Sequence, residues 1–284
     1  MAPMNGIFLM LASDLAFAVM AATLKFLGSG IPASEVVFVR SLVSTGLLWS
    51  YLTRRSMPLR AKEPGLLWAR GIVGYVALQS YFWALPQLRL GTAVMLNYTA
   101  PIFAVVFSFV LLREKPAFVV LLSLAASFAG VWLLSSSEIS GHSWPLAAGL
   151  LSGLLAGMVY VMIRQSQKSD PPLLVIFYFT VCCTAVSGLL LFRTGWVTPT
   201  TQQWLLLTLI TASSLAGQVL FTYALQAAPV WVVSPFGYFT PVLGMFLGLV
   251  FWKELPTAAN LTGAAFIIGC GTLMLGYFRR LAQT

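Results

Sequence analysis

The chain has 284 residues, 59% hydrophobic and only 8% charged, against roughly 25% charged residues in an average soluble domain. That composition cannot supply the polar surface a water-soluble core of this length needs, so soluble globular architectures are excluded. A net charge of +9 keeps nucleic acid open as a partner only until the basic residues are placed along the chain.

Ten apolar stretches follow one another with short connections, at about 4–28, 32–53, 64–85, 91–112, 117–135, 144–164, 171–192, 202–226, 229–252 and 257–278. Each is close to the roughly 20 residues that cross a bilayer as a helix. They are continuous rather than alternating, which argues against a β-barrel. The first has no basic residue before its apolar run and nine spans after it, so it reads as a helix and not as a leader. Asp14 lies near its middle and Lys25 near its end, about 16 Å apart along the axis and too far to pair. The second stretch carries Arg40 in its outer half and the third carries Arg70. In the third, "GIVGYVALQSYFWAL" places Tyr75, Leu78, Gln79 and Phe82 on one face by the i, i+3, i+4 rule. A Gln facing lipid is costly, so this face is expected to point inward, toward a cavity or an interhelical hydrogen bond.

The fourth stretch, "LNYTAPIFAVVFSFVLLREKP", brings Asn97, Tyr98 and a mid-helix Pro101. A proline there removes a backbone hydrogen bond, and a kink is expected. Glu114, just before Pro116, is expected to stabilise the positive end of the next helix. In the sixth stretch Gly149, Gly153 and Gly157 recur every four residues, a spacing that permits close helix approach. Tyr160 there and Gln218 in the eighth stretch join Asn97 as lining or interhelical bonding residues. The ninth repeats the fourth, with Tyr238, Pro241 and Glu254 ahead of Pro256, and adds Gly244 and Gly248 as a second packing face. Cys182, Cys183 and Cys270 lie inside apolar spans and read as small core residues, not as a disulfide framework. The one His, His142, falls in a connection, so no His relay is available.

With a cytoplasmic N-terminus, the inner connections hold Arg54, Arg55, Arg60, Lys62, Arg113, Lys115, Arg164, Lys168, Arg279 and Arg280. The outer side holds Arg89, Arg193 and Lys253. This is the positive-inside bias. Basicity therefore reports orientation, both termini are placed in the cytoplasm, and no nucleic-acid partner is expected.

Tyr98 and Tyr238, Pro101 and Pro241, Glu114 and Glu254, and Pro116 and Pro256 all stand 140 residues apart. The offset extends back to "YFWALPQL" at Tyr81 and "FTYALQAA" at Phe221. Shifted by one, it pairs Pro32 with Pro171 and Lys25 with Arg164. The chain is thus read as one transmembrane domain, 1–284, made of two five-helix repeats at about 1–134 and 144–280. Five is odd, so the second repeat enters the membrane inverted. Inverted repeats are common in secondary transporters, with substrate held near the midplane where the halves meet.

Two such halves, with turns "REKP" and "KELP" followed by "LAASFAGVWLL" and "FIIGCGTLML", resemble the ten-helix, EamA-type drug/metabolite transporter superfamily. "LNYTAP" and the aromatic third helix are most similar to bacterial aromatic amino-acid exporters of the inner membrane. The resemblance implies an all-α membrane protein with a central cavity, exporting aromatic and other neutral amino acids by alternating access. It implies a monomer in the bacterial inner membrane, with the lipid bilayer and a small-molecule substrate as its partners.

The substrate is expected to contact Tyr98 first, then Gln79, Tyr75, Leu78, Phe82, Asn97, Tyr160, Gln218 and Tyr238. Tyrosines offer an apolar ring and a hydroxyl, and amides offer hydrogen bonds, a lining suited to a zwitterion. Asp14 is a candidate proton-coupling carboxylate, or the partner of Arg40 or an amide in a buried link. The alternative function is proton-coupled export of aromatic cations or other metabolites through Asp14. No pair of buried basic residues stands in the last three spans, which argues against phosphate-bearing substrates. Metalloprotease, phosphate-loop and Asp-cluster motifs do not occur, so neither an enzyme, a metal nor a cofactor is expected.

Overall fold

The computed structural model describes residues 3–28, 30–84, 96–135, 143–253 and 255–283. His142, Glu254 and the first residues of the predicted fourth span lie outside these, as does the side chain of Phe82. Ten main helices stand among the described residues, apart from the three short helical turns described below. They are α1 (Pro3–Leu27), α2 (Ala33–Arg54), α3 (Pro64–Ala84), α4 (Ala100–Phe107), α5 (Phe118–Ser135), α6 (Ser143–Ser166), α7 (Pro172–Thr194), α8 (Thr201–Ala227), α9 (Phe239–Trp252) and α10 (Ala258–Gln283). Each of the ten apolar stretches supplies one of them.

Seven spans are long and apolar enough to cross a membrane on those criteria alone, the ninth counted from Val230 to Trp252. The other three are α3, whose hydropathy is lowered by Arg70 and Gln79, and the shorter apolar helices at Ala100–Leu112 and Phe118–Leu133. Large apolar side chains such as Phe109, Phe118, Phe192, Leu205 and Leu273 point outward, while Ser13, Asp14, Glu35, Ser41, Ser44 and Arg70 are buried. That distribution is the reverse of a soluble core and suits a lipid surround.

Helix starts follow local chemistry. Thr200 and Gln203 form a reciprocal capping box at the head of α8: the Thr200 hydroxyl accepts from the Gln203 amide at 3.3 Å, and Gln203 Oε1 accepts from the Thr200 amide at 2.8 Å. The head of α3 is capped from a distance. Asp170, between α6 and α7, accepts from the Lys62 and Glu63 amides at 2.8 and 3.2 Å. A carboxylate here satisfies donors that a helix start leaves open.

The largest packing interfaces join α1 to α8, α3 to α6, α5 to α10 and α2 to α7. Exchanging the halves, so that α1 takes the place of α6 and so on, turns the α1–α8 contact into the α6–α3 contact. It returns the other two interfaces to themselves. The packing therefore carries an internal two-fold relation, with α4 and α9 as the remaining related pair.

Those two are the irregular elements. Ahead of α4, Tyr98 and Thr99 sit in a turn, and α4 runs into a π-turn at Ser108–Leu112. Ahead of α9, Val230–Val233 forms one helical turn and Ser234–Tyr238 a 3₁₀ turn. At the far ends Arg113 and Lys253, again 140 apart, adopt left-handed backbone with φ of 56° and 55°. Non-glycine residues rarely adopt that conformation.

The prolines sit differently from the mid-helix kinks expected. Pro101 is the second residue of α4 and Pro241 the third of α9. A proline in the first turn lacks an N–H that would have had no helical partner anyway. The change of helix type lies just ahead of each proline, at the two tyrosines.

Candidate functional site

The break before α4 faces the middle of α1. Thr240, second in α9, donates its hydroxyl hydrogen bond to Asp14 Oδ1 at 3.0 Å. The Tyr98 hydroxyl lies within hydrogen-bonding reach of the same Thr240, and within electrostatic reach of Asp14, Tyr81 and Tyr160. Asp14 is 3% exposed, and its Oδ2 has no hydrogen-bond partner. Four helices and the break before α4 thus bring Tyr98, Tyr160 and Thr240 about one carboxylate, with Tyr81 beside Tyr98. Tyr160 packs edge-on against Phe221 with centroids 4.8 Å apart, and Phe221 meets Phe17 at 6.3 Å. Tyr238 is fully buried with its hydroxyl unpartnered.

Glycines let the helices approach this closely. A Cβ on Gly153 would stand 2.2 Å from Thr99 Oγ1 and 2.5 Å from the Leu96 carbonyl. One on Gly157 would stand 2.6 Å from the Phe103 Cβ. The α6 stripe therefore presses on the break before α4, where Asn97 donates to Ser152 Oγ at 3.1 Å. The second expected stripe behaves otherwise, because a Cβ on Gly244 would meet nothing within 4 Å.

The remaining expected site residues divide. Tyr98, Tyr160 and Asp14 come together. Tyr75 is buried with Val37, Phe179 and Cys183, and Leu78 packs on the same cluster. Gln218 lines a small cavity with Arg40, Ser41, Ser44, Phe179 and Thr180. Arg40 is not the partner of Asp14: its Nη1 lies 3.9 Å from Met20 Sδ, while Asp14 takes Thr240. Gln79 is half-buried. Sequence reasoning missed Thr240 and Tyr81. A lone threonine gives no signal, and Tyr81 stands about 240° around α3 from Tyr75, off the face singled out.

A second polar cluster closes the end of the bundle that carries Arg54, Arg113 and Lys168. Glu114 does not simply serve the helix after it. Its Oε1 accepts from Arg164 Nε at 3.2 Å, and its Oε2 accepts from the Ser108 hydroxyl and, at 3.0 Å, from the Val230 amide. Arg164 Nη1 also donates to the Gln226 carbonyl at 2.8 Å, and Gln226 Nε2 donates to Ser166 Oγ at 3.1 Å. The ends of α4, α6 and α8 are thus tied together. At the opposite end α1 meets α9, with Lys25 Nζ 4.5 Å from the centroid of the Trp252 ring and Phe26 4.3 Å from the same ring.

A cavity of about 420 Å³ lies between α9 and α10, lined by Val242, Met245, Phe246, Leu249, Ala265 and Ile268. Its lining is almost wholly apolar.

Comparison with known proteins fits this architecture. The pseudopaline exporter of Pseudomonas aeruginosa is 30% identical over 265 residues, covering 93% of each chain. A riboflavin transporter of Vibrio cholerae is 24% identical over 278 residues, covering 94% of this chain and 91% of its own. A solved crystal structure superimposes with a TM-score of 0.84 at 20% identity, over 97% of this chain and 98% of the other, which shows a shared fold. The model of the EamA-like transporter family matches twice, at residues 4–136 and 143–277. The chain is therefore a multi-pass membrane transporter and belongs to the EamA-like transporter family of the drug/metabolite transporter superfamily.

Proposed function

We propose that this chain exports amino acids, aromatic and other neutral ones, across the bacterial inner membrane by alternating access. The observation that carries this reading is the buried carboxylate of Asp14 with one oxygen unpartnered, within electrostatic reach of Tyr98 and Tyr160. A free carboxylate oxygen in an apolar surround is a receptor for an ammonium group, and aromatic rings bind an apolar side chain. The similarity to an exporter over 93% of the chain supports the direction.

The repeats, about 1–134 and 144–280, act as the two moving halves, and the basic end faces the cytoplasm. Glu114, Arg164 and Gln226 then form the cytoplasmic latch, which must part to admit substrate. Tyr98 and Tyr238 mark the points where α4 and α9 re-aim. The transporter works as a monomer.

A second reading, proton-coupled export of aromatic cations, rests on the same free oxygen of Asp14, since a cation and a proton can share it. The two separate in proteoliposomes loaded with labelled phenylalanine, methionine or threonine, or with a quaternary ammonium dye, with and without a pH gradient. Saturable amino-acid flux without a gradient, weakened in Asp14→Asn by loss of the ammonium acceptor, supports the amino-acid facilitator. Gradient-dependent dye flux with no amino-acid movement refutes it.

A further inference from the structure

Arg40 and Arg70 come from opposite ends of the membrane. Arg40 lies seven residues into α2, about 10 Å from that end, and Arg70 six residues into α3, about 9 Å from the other. Both side chains reach electrostatic range of Cys183, which stands midway along α7. Arg70 is 2% exposed, and its Nε and Nη1 have no acceptor. Its guanidinium lies 3.9 Å from the centroid of the Phe179 ring. Stacking satisfies the flat face of the cation and leaves the in-plane donors open. Phe179 in turn lines the small cavity shared by Arg40, Ser41, Ser44, Thr180 and Gln218.

The described carboxylates have their partners elsewhere, and the two buried oxygens without one, Asp14 Oδ2 and Glu35 Oε1, accept from neither arginine. Asp14 holds Thr240, Glu35 holds the Val197 amide, Glu114 holds Arg164, and Asp170 holds the Lys62 and Glu63 amides. Glu63 is exposed at the start of α3. Two cations inside a bilayer span with no ion pair among the described residues are expensive, and such residues mark ligand paths. An α3 glycine gives the arrangement room: a Cβ on Gly74 would stand 3.0 Å from the Phe179 ring and 3.6 Å from Arg70 Nη1.

We infer that Arg40 and Arg70, with Gln218 and the Ser41, Ser44 and Thr180 hydroxyls, form a binding site for a carboxylate of the transported solute. The ligand supplies the missing counter-ion and accepts the open in-plane donors of Arg70. An α-amino acid carries its ammonium and carboxylate on one carbon, so the solute meets this site and Asp14 in turn rather than together. Asp14 and Met20, the α1 residue that Arg40 touches, are about 9 Å apart along the helix. Ser13 Oγ, bonded to the Gly217 carbonyl at 2.9 Å, fixes α1 against α8 beside Gln218. The inference deepens the amino-acid reading, and rests on it for the identity of the solute but not for the existence of the site.

The test uses the whole protein in detergent and in proteoliposomes, with phenylalanine, phenylalaninamide, phenethylamine and succinate as probes. Thermal stabilisation gives apparent affinity, and flux gives transport. The carboxylate-bearing probes should stabilise the wild type, and Arg40→Gln and Arg70→Gln should weaken that response on the order of tenfold or more. Arg70→Lys should retain part of it. If Arg70→Gln does not fold, the less buried Arg40→Gln decides. Equal binding of phenylalanine and phenylalaninamide, or unchanged carboxylate affinity in Arg40→Gln, overturns the site. Arginine-dependent binding of succinate without phenylalanine flux keeps the site and refutes the amino-acid reading.

Discussion

Glu114→Gln removes one charge and no volume at the place where α4, α6 and the start of the ninth span are joined. The carboxylate serves three donors: the Ser108 hydroxyl, the Val230 amide and Arg164 Nε. A neutral amide offers one oxygen, so its NH₂ must face at least one of these donors. Arg164 is not orphaned, because the Gln226 carbonyl and Gln167 Oε1 still accept from it. The loss is therefore set at the lower end for charge-assisted bonds, about 2 kcal/mol. The pair is 19% and 15% exposed, and solvent screening of it is modest. If the bonds exist only when this end is closed, the open-to-closed ratio rises roughly 30-fold. The assay places a cysteine at Val230, fully buried in the closed arrangement, with Cys182, Cys183 and Cys270 replaced by Ala. Maleimide labelling should accelerate by about the same factor in Glu114→Gln. A rate within twofold of the parent, in a protein that melts at the same temperature, refutes the latch.

Three further outcomes follow from the geometry. Gly153→Ala forces a methyl to within 2.2 Å of Thr99 Oγ1, and should cost about 1–3 kcal/mol, seen as a lowered melting temperature in detergent. Gly244→Ala meets nothing within 4 Å and should melt at or slightly above the parent; equal losses in both would refute close packing of α6 on the α4 break. Thr240→Val leaves Asp14 Oδ1 without its donor beside an Oδ2 that already has none, so stability should fall by about 1–3 kcal/mol and Thr240→Ser should restore it. Lys25→Gln removes the cation over the Trp252 ring, and should speed labelling of cysteines at the α1–α9 end while leaving Val230→Cys unchanged.

The number and order of helices were legible because membrane spans announce themselves as long apolar runs, and because the 140-residue offset survives in Tyr, Pro and Glu together. The same register reappears in the backbone, at Arg113 and Lys253. The site was only partly legible. Periodicity gave α3 one inward face, Tyr75, Leu78, Gln79 and Phe82, whereas α3 buries two faces. Tyr75 packs with Phe179 and Cys183, while Tyr81 reaches Tyr98. Glu114 read as a local partner of the next helix because helix-end electrostatics are local, and nothing in the chain pattern brings Val230 or Arg164 beside it. Asp14 found a threonine rather than Arg40 because α9 packs on α1 at that depth.

The two halves share a backbone plan, yet they place different chemistry at matching points. With the offset of one less that aligns Lys25 with Arg164, Asp14 aligns with Gly153. In the second half this position has no side chain, and α6 closes tightly on Thr99 and the Leu96 carbonyl. In the first half it holds the buried carboxylate, and α1 meets α9 through the Thr240 hydroxyl. One crossing is sealed by close approach and the other is bridged by polar groups with an acceptor to spare. The ends differ in the same way: an ion pair with three donors at one, a cation over a ring at the other. In the proposed alternating-access cycle, symmetry of the fold lets the halves exchange conformations, and asymmetry of the side chains sets which conformation is lower in energy and where a solute binds. Swapping chemistry between the halves, not lengthening or shortening helices, is therefore the change that should alter the direction and selectivity of transport.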